Sequence, residues 1–209
     1  MHRRITAFRQ DAANDWVAEL SCGHDQHVRH RPPFQPRPWV NDREEREERI
    51  GSPLDCPLCD RLELPAGVRV VQTGQTCSND SMPAGLLRNH RVATGTWGWL
   101  HVREGVLRYT MDVEPRYSRD VHAGYCQAIP PEVDHRIEPL GPVRFTLSFL
   151  SSDALRKRSS RFEAQVVAPI EGGGESACWV QSVCPRCGVL LDGSQHRPPC
   201  APEAVPGPG

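Results

Sequence analysis

The amino-acid sequence predicts a mainly β fold, with an antiparallel barrel or sandwich in its middle and a small unit at each end. Twenty prolines and seventeen glycines among 209 residues favour turns and short strands over long helices. Short β-type runs, separated by turn residues, recur along the middle of the chain. Seven of the nine cysteines lie near the two ends, in segments too short to bury a large apolar core.

The N-terminal unit, residues 1–62, is predicted to begin with a β-hairpin. Residues 5–9 and 16–20 alternate apolar and polar side chains on either side of a five-residue turn. The proline-rich segment 31–39 is predicted to be extended or looped, because proline fixes φ and lacks an amide hydrogen. Asp42 is the predicted N-cap of the short, mostly solvated helix that follows.

Cysteine and histidine spacing in this unit predicts a structural zinc site. The two-residue spacing of Cys56 and Cys59 lets both thiolates point at one ion, and Cys22 with His24 can supply the other two ligands. His27 is the alternative to His24, and these histidines as ordinary surface residues are the competing interpretation. A unit of this size with few large apolar side chains needs such an added constraint to fold.

The N-terminal unit resembles a small bacterial domain of unknown function. The matching segments are Phe8, 16–19, 22–24, 27–30 and the Cys-x2-Cys pair, which together span nearly all of the unit. This resemblance implies no activity.

The central unit, residues 66–152, contains seven predicted strands. They are 68–72, 86–91, 96–102, 106–113, 125–129, 135–138 and 143–150. In the last of them Val143, Phe145, Leu147 and Phe149 alternate with polar residues, so one face of that strand is predicted to belong to the core.

One spacing in this unit resembles the first motif of the cupin superfamily of small β-barrels, Gly-x5-His-x-His-x3–4-Glu. Gly95 is followed after five residues by His101, but Arg103 occupies the position of the second histidine. The expected glutamate falls on Leu107 or Arg108. The first motif is therefore incomplete in its metal ligands.

A second spacing resembles the second cupin motif, Gly-x5-Pro-x-Gly-x2-His-x3-Asn. Gly124, Pro130 and His135 match it, whereas Glu132 replaces the second glycine and Pro139 replaces the asparagine. The resemblance implies a cupin-like antiparallel β-barrel or sandwich. Its usual site of three histidines and one glutamate is incomplete.

Within that superfamily, residues 68–150 resemble the cupin-like domain of the YeaR proteins and of the N-terminal part of TehB tellurite-resistance methyltransferases. The matching segments are 82–86, 89–90, 95–98, 104–109, 131 and 135–138. The shared polar positions are His90, His135 and Glu138, and His101 is not among them. No methyltransferase is expected, because the sequence has no glycine-rich strand-to-helix loop and only about 55 residues follow.

The barrel pocket predicted from these resemblances centres on His90 and His135. The two side chains are expected to meet at the barrel mouth and to hold a divalent metal (Fe, Mn, Ni or Zn) or a small anion. Strand alternation places Glu138 on the face opposite His135, so Glu138 needs a β-bulge to join them. His101 completes the candidate set, and a buried histidine pair without metal is the alternative.

The end of the chain predicts a linker, residues 153–177, and a cysteine-rich tail, residues 178–209, that is partly disordered. The tail resembles a zinc knuckle in its ligand spacing, and its predicted ligands for a second structural Zn²⁺ are Cys184, Cys187, His196 and Cys200. Cys178 could replace His196. A flexible tail with reactive thiols is the alternative.

Charge and targeting signals restrict the partners and the compartment. A net charge of -1 and a pI near 6.7 provide no global field for nucleic acid. The sequence contains no signal peptide and no stretch of ~18 apolar residues, so a cytoplasmic protein without membrane contact is expected. Cupin-like barrels often pair through edge strands, which makes a homodimer one expectation.

The leading functional hypothesis is a cytosolic metal-binding accessory protein, whose cupin-like barrel binds a small anion or metal species. A role in tellurite or oxidative-stress tolerance is implied by the resemblance alone. One alternative is a metal-dependent cupin enzyme, an oxygenase or isomerase, that uses His90 and His135. Another is a zinc-dependent protein-interaction adaptor. The missing ligands of the first motif favour binding over catalysis.

Overall fold

The computed structural model of the protein describes residues 1–157, and three antiparallel sheets form most of that part. The N-terminal sheet has the strand order β3-β2-β1-β4. Its strands are β1 (His2–Gln10), β2 (Trp16–Leu20), β3 (Asp25–His27) and β4 (Pro53–Asp55). The predicted hairpin of β1 and β2 is confirmed, and the Asp11 side chain closes its turn by accepting hydrogen bonds from the Ala13 and Asp15 amides.

Two short helices complete the N-terminal unit. The first, α1 (Arg43–Glu48), begins at the predicted cap, where the Asp42 carboxylate accepts a hydrogen bond from the Glu45 amide. The second, α2 (Pro57–Asp60), is a single turn that starts with proline at its first position, where no amide hydrogen is needed. It turns the chain sharply between Cys56 and Cys59.

Seven strands form the two sheets of the central unit, with orders β10-β7-β8 and β5-β11-β6-β9. They are β5 (Arg69–Ser78), β6 (Trp97–Glu104), β7 (Val106–Met111), β8 (Tyr117–His122), β9 (Cys126–Ile129), β10 (His135–Pro139) and β11 (Arg144–Ser151). All paired strands in them are antiparallel. The prediction of a mainly β, antiparallel fold is confirmed.

The two sheets of the central unit enclose one apolar core. Alternate residues of β11 contribute to it as predicted, since Val143, Phe145 and Phe149 are buried there and Leu147 packs against them. Residues of β6, β7 and β10 complete this core, including the fully buried Tyr109. We call it the inner core.

A second core joins the two units. The opposite face of the four-stranded sheet buries Trp97 of β6 and Leu150 of β11. These side chains cluster with Ile5 and Leu20 of the N-terminal sheet and with Leu155, which lies in a helical turn over 153–157. The four-stranded sheet is therefore covered on both faces, once by its own unit and once by the N-terminal unit.

Two details of the central unit differ from the sequence prediction. The strand predicted at 86–91 is wrong: a 3-10 turn over Ala84–Leu87 follows Pro83. An extended segment after the turn makes only one bridge, between His90 and His135. Sequence patterning also missed β8, because its polar residues leave only Val121 fully buried. Within residues 1–157, no helix combines the length and the apolar character needed to cross a membrane.

Candidate metal centre and histidine pair

Four predicted ligands meet at one buried point of the N-terminal unit: Cys22, His24, Cys56 and Cys59. We call them the Cys/His cluster. Cys22 and His24 lie in the turn between β2 and β3, where Gly23 has φ +92°. Cys56 and Cys59 bracket the first turn of α2. Glycine accommodates this left-handed conformation without the steric cost that a side chain would add.

The distances in the Cys/His cluster suit a tetrahedral zinc ion. Nδ1 of His24 lies 3.4 Å from the sulfurs of Cys22 and Cys56 and 3.5 Å from that of Cys59, while the Cys22 and Cys56 sulfurs are 3.9 Å apart. Bond lengths of about 2.3 Å for Zn–S and about 2.0 Å for Zn–N give tetrahedral edges of about 3.8 Å and about 3.5 Å. The donor set and its spacing therefore fit zinc, whereas calcium and magnesium require oxygen ligands.

Without a cation, the three thiols of the Cys/His cluster compete for protons. The Cys22 thiol donates to the Cys56 sulfur, and this hydrogen bonding raises the pKa of Cys22 and lowers the pKa of Cys56. Ionising every thiol in such a buried place therefore needs a nearby positive charge. A divalent metal ion would supply that charge.

A buried arginine lies beside the Cys/His cluster and was not predicted from the sequence. The Arg3 side chain is 4% exposed. The hydrogen bond with Cys22 lowers the pKa of Cys59, but the hydrogen bond with Cys56 and burial raise it to about 12, and the charge of Arg3 opposes this rise only in part. Within residues 1–157, Arg3 makes no ion pair with a carboxylate. Zinc with three thiolates and one neutral histidine would carry one net negative charge, which the guanidinium of Arg3 would offset.

The Cys/His cluster lies at the interface between the N-terminal and central units. The indole Nε1–H of Trp97 donates a hydrogen bond of 2.8 Å to the Cys22 carbonyl oxygen. Its ring contacts the His24 imidazole edge-to-face, with 5.6 Å between ring centroids. A Cβ on Gly23 would lie 2.9 Å from the Cδ1 methyl group of Leu155, a flexible side-chain end that can shift, so the backbone φ of +92° is the stronger reason for glycine in the ligand turn.

The histidine pair, His90 and His135, lies in the central unit. The two residues exchange both backbone hydrogen bonds, at 2.9 and 3.0 Å, and their ring centroids are 4.2 Å apart. Nδ1 of each ring faces a backbone carbonyl oxygen, that of Arg88 at 3.0 Å and that of Val133 at 2.9 Å. These contacts assign the proton to Nδ1 and leave the Nε2 lone pair of each ring available to a ligand.

Burial keeps the histidine pair neutral. It lowers the pKa of His90, and burial together with the neighbouring His90 lowers the pKa of His135 to about 3. The ring of Tyr109 lies 5.6 Å from that of His135, and within residues 1–157 its buried hydroxyl has no hydrogen-bond partner. Neutral imidazoles beside a neutral phenol suit a metal cation or a hydrogen-bonding molecule better than an anion.

Two residues of the predicted barrel pocket lie elsewhere. Glu138 is exposed on β10, opposite Arg108, and the pairing of β10 with β7 shows no bulge. His101 is paired with Thr146 and lies on the face of β6 that carries Trp97, away from the inner core. Strand alternation places Glu138 on the face of β10 opposite His135, and His101 faces away from the inner core. Of the four predicted pocket residues, the structure brings together His90 and His135.

The remaining candidate ligands are separate from the Cys/His cluster or lie outside the described residues. The alternative ligand His27 lies on β3, where its Nε2 is 2.8 Å from the carboxylate of Asp11. The structure therefore brings His24, and not His27, to the cysteines. The predicted tail ligands are outside residues 1–157: Cys178, Cys184, Cys187, His196 and Cys200.

The lowered pKa of His135 predicts acid destabilisation. In the unfolded chain His135 is protonated near pH 6.5, whereas in the folded protein its pKa is about 3. The unfolded state therefore binds more protons between these values, and stability falls as the pH drops through this range. We expect a loss of about 2 kcal/mol between pH 7.5 and pH 5 from this residue. Urea unfolding at the two pH values should show a smaller loss in His135→Gln. Equal losses in both proteins would contradict the prediction.

Comparisons with known proteins confirm both predicted resemblances. Residues 6–63 match a family described as a protein of unknown function (DUF3565), and residues 74–147 match the TehB-like domain. The comparison with curated proteins gave no match.

Solved structures show partial similarity to the chain. A protein from E. coli (strain K12) is 20% identical, with a TM-score of 0.39 and coverage of 43% of this chain and 96% of that one. TehB from Haemophilus influenzae is also 20% identical with a TM-score of 0.39, over 49% of this chain and 41% of that one. Bacillus subtilis oxalate decarboxylase, which is described with Mn(II) centres, is 15% identical with a TM-score of 0.29, over 50% of this chain and 38% of that one. None of these similarities assigns a ligand or a reaction to this chain.

Proposed function

We propose that this protein is a metal-binding accessory protein in which one Zn²⁺, held by Cys22, His24, Cys56 and Cys59, fastens the N-terminal unit to the central unit. The observation that supports it most directly is the agreement between the donor-atom distances and the edges of a zinc tetrahedron. Four protein ligands close the coordination sphere, so this ion is structural. A reacting molecule would find no open position on it.

We further propose that the central unit is a cupin-like barrel whose histidine pair binds the functional ligand. Of the two ligand classes considered from the sequence, a metal species is favoured over a small anion. A buried anion needs positive charge or several donated hydrogen bonds, whereas His90 and His135 are neutral and offer Nε2 lone pairs. The match of residues 74–147 to the TehB-like domain is consistent with a role in tolerance to tellurite or oxidative stress.

Metal analysis of untagged protein tests the zinc assignment. Wild-type protein purified under reducing conditions should contain zinc, and Cys59→Ser should contain one equivalent less. The matched control is Cys77→Ser, which changes a half-buried thiol outside the Cys/His cluster. Equal zinc content in wild type and Cys59→Ser would overturn the assignment.

The barrel ligand is tested by a second variant. Titration with Co²⁺ after the Cys/His cluster has been saturated with zinc should reveal additional binding in the wild type, and His90→Ala/His135→Ala should abolish it. The double variant His101→Ala/Glu138→Ala is the control and should bind like the wild type, because both residues lie away from the pair. Additional binding that is unchanged in His90→Ala/His135→Ala would contradict the proposal.

A second candidate function is that of a metal-dependent cupin enzyme at the same pair. The observation that favours it is the buried Tyr109 hydroxyl, a polar group without a partner beside His135. Two histidines leave most coordination positions of a bound metal open to substrate and solvent. Oxygen uptake by iron-loaded protein that disappears in His135→Ala would support this function over simple binding.

A further inference from the structure

Glu132 has a conformation that is unusual for a residue with a side chain. It occupies the position at which the second cupin motif has glycine, and its φ is +60°. This left-handed region is unfavourable for residues other than glycine, so Glu132 costs free energy that glycine would not. We therefore expect the contacts of its carboxylate to offset the free-energy cost of the left-handed backbone conformation.

The Glu132 carboxylate connects the two units of the protein. One oxygen, Oε2, accepts a hydrogen bond of 3.1 Å from Ser21, and the other, Oε1, accepts one of 3.1 Å from Thr94. Ser21 is 2% exposed and directly precedes the metal ligand Cys22. At 3.1 Å, both hydrogen bonds are longer than the short ones typical of a hydroxyl group on a carboxylate, so the link rests on there being two of them. The carboxylate thus holds the ligand turn against the central unit.

The neighbouring residue makes a parallel connection. The Pro131 carbonyl oxygen accepts a hydrogen bond of 2.6 Å from Nη1 of the buried Arg3, which also lies beside the Cys/His cluster. Residues 131 and 132 of one loop therefore contact two residues of the N-terminal unit, Arg3 and Ser21, that neighbour the Cys/His cluster. These two contacts, Arg3 with Pro131 and Ser21 with Glu132, link the N-terminal unit to the central unit.

The same loop positions the histidine pair. The amide of Glu132 donates to the Val92 carbonyl oxygen at 2.9 Å, and the Val133 carbonyl oxygen holds Nδ1 of His135 at 2.9 Å. His135 in turn exchanges backbone hydrogen bonds with His90. A displacement of Glu132 would move the carbonyl group that fixes the His135 ring.

We propose that Glu132 is a positioning residue that couples metal binding at the Cys/His cluster to the arrangement of the histidine pair. This inference rests on the proposed zinc site. When zinc holds Cys22 in place, Ser21 holds the Glu132 carboxylate, and the loop presents His135 to the inner core. Coupling between two binding sites is reciprocal, so a metal ion bound by the histidine pair would change the zinc affinity of the Cys/His cluster by the same factor. If the arrangement of the pair is part of this coupling, we expect a substitution at His135 to change that affinity as well.

Zinc affinities of four proteins test the coupling: wild type, Glu132→Gly, His135→Gln and the double variant. Competition with a chromophoric chelator measures each affinity. Glycine adopts φ +60° readily, so Glu132→Gly should fold normally and bind zinc about tenfold more weakly. His135→Gln should weaken zinc binding in the wild-type background and have no further effect when Glu132 is absent. The control Glu138→Gln, an exposed carboxylate on β10, should match the wild type.

Three results would contradict the role of Glu132, the coupling between the two sites or the zinc site itself. Unchanged zinc affinity in Glu132→Gly would overturn the role of Glu132. Additive effects of Glu132→Gly and His135→Gln would overturn the coupling, even if each variant binds zinc more weakly. Wild-type protein that binds no zinc at the Cys/His cluster would instead refute the proposed function. Amide NMR spectra of β7 and β11 establish that every variant retains the inner core.

Discussion

Cys56→Ser is expected to release the zinc ion and to destabilise the folded protein. Serine is a poor zinc ligand, and the remaining buried thiols of Cys22 and Cys59 lose the cation that compensates their charge. The free energy of zinc binding contributes directly to the folding of small metal-stabilised units. We therefore expect the free energy of unfolding to fall by more than about 4 kcal/mol, a loss typical of a removed structural metal site. Urea unfolding with parallel zinc determination measures both effects.

The matched control for this prediction is Cys126→Ser. Cys126 is a half-buried thiol on β9, outside the Cys/His cluster, so its replacement should leave the zinc content unchanged and alter stability little. Chelation of zinc from wild-type protein should reproduce the loss seen in Cys56→Ser. A Cys56→Ser protein with full zinc content and wild-type stability would show that these cysteines form an ordinary apolar cluster.

Trp97→Ala is expected to weaken the packing of the N-terminal unit against the central unit. The indole is completely buried between them, and truncation of a buried aromatic residue to alanine costs about 3–5 kcal/mol. It also leaves the Cys22 carbonyl oxygen without its hydrogen bond. The turn that carries Cys22 and His24 is then held less firmly, so bound zinc can leave more easily. We expect faster zinc release as well as lower stability, measured by chelator competition and urea unfolding.

Trp97→Phe separates the packing effect from the hydrogen bond. Phenylalanine retains most of the ring but cannot donate to Cys22, so about 1–3 kcal/mol should be lost from the unpaired carbonyl group and a small cavity. Trp99→Phe is the control, because Trp99 is on the same strand and only partly buried. A Trp97→Phe variant as stable as the Trp99→Phe control would show that the hydrogen bond from Trp97 to Cys22 does not contribute to stability.

The sequence was most informative where short spacing and strand alternation determine structure. The two-residue spacing of Cys56 and Cys59 predicted that both sulfurs can bind the same ion, because residues one helical turn apart lie close together. Alternation along β11 predicted its inner face correctly. The same argument placed Glu138 opposite His135, and the unbroken pairing of β10 with β7 agrees with it.

Long-range packing could not be predicted in this way. The β6 strand has large apolar side chains on both faces, Trp97 and Trp99 on one and Leu100 and Val102 on the other. The pattern of side chains shows that both faces of such a strand are buried. The local sequence does not identify which part of the chain covers the second face. The role of Arg3 was missed for the same reason, since its hydrogen-bond acceptor Pro131 is 128 positions away.

The shared core between the two units has a consequence for how the protein melts. Family boundaries divide the chain into residues 6–63 and 74–147, yet Leu20 from the first range and Trp97 from the second belong to one buried cluster. A fragment that contains only the central unit would expose the outer face of its four-stranded sheet to water, and such a face promotes aggregation. Residues 1–157 should therefore unfold in a single cooperative transition, and the smallest soluble fragment should include both families.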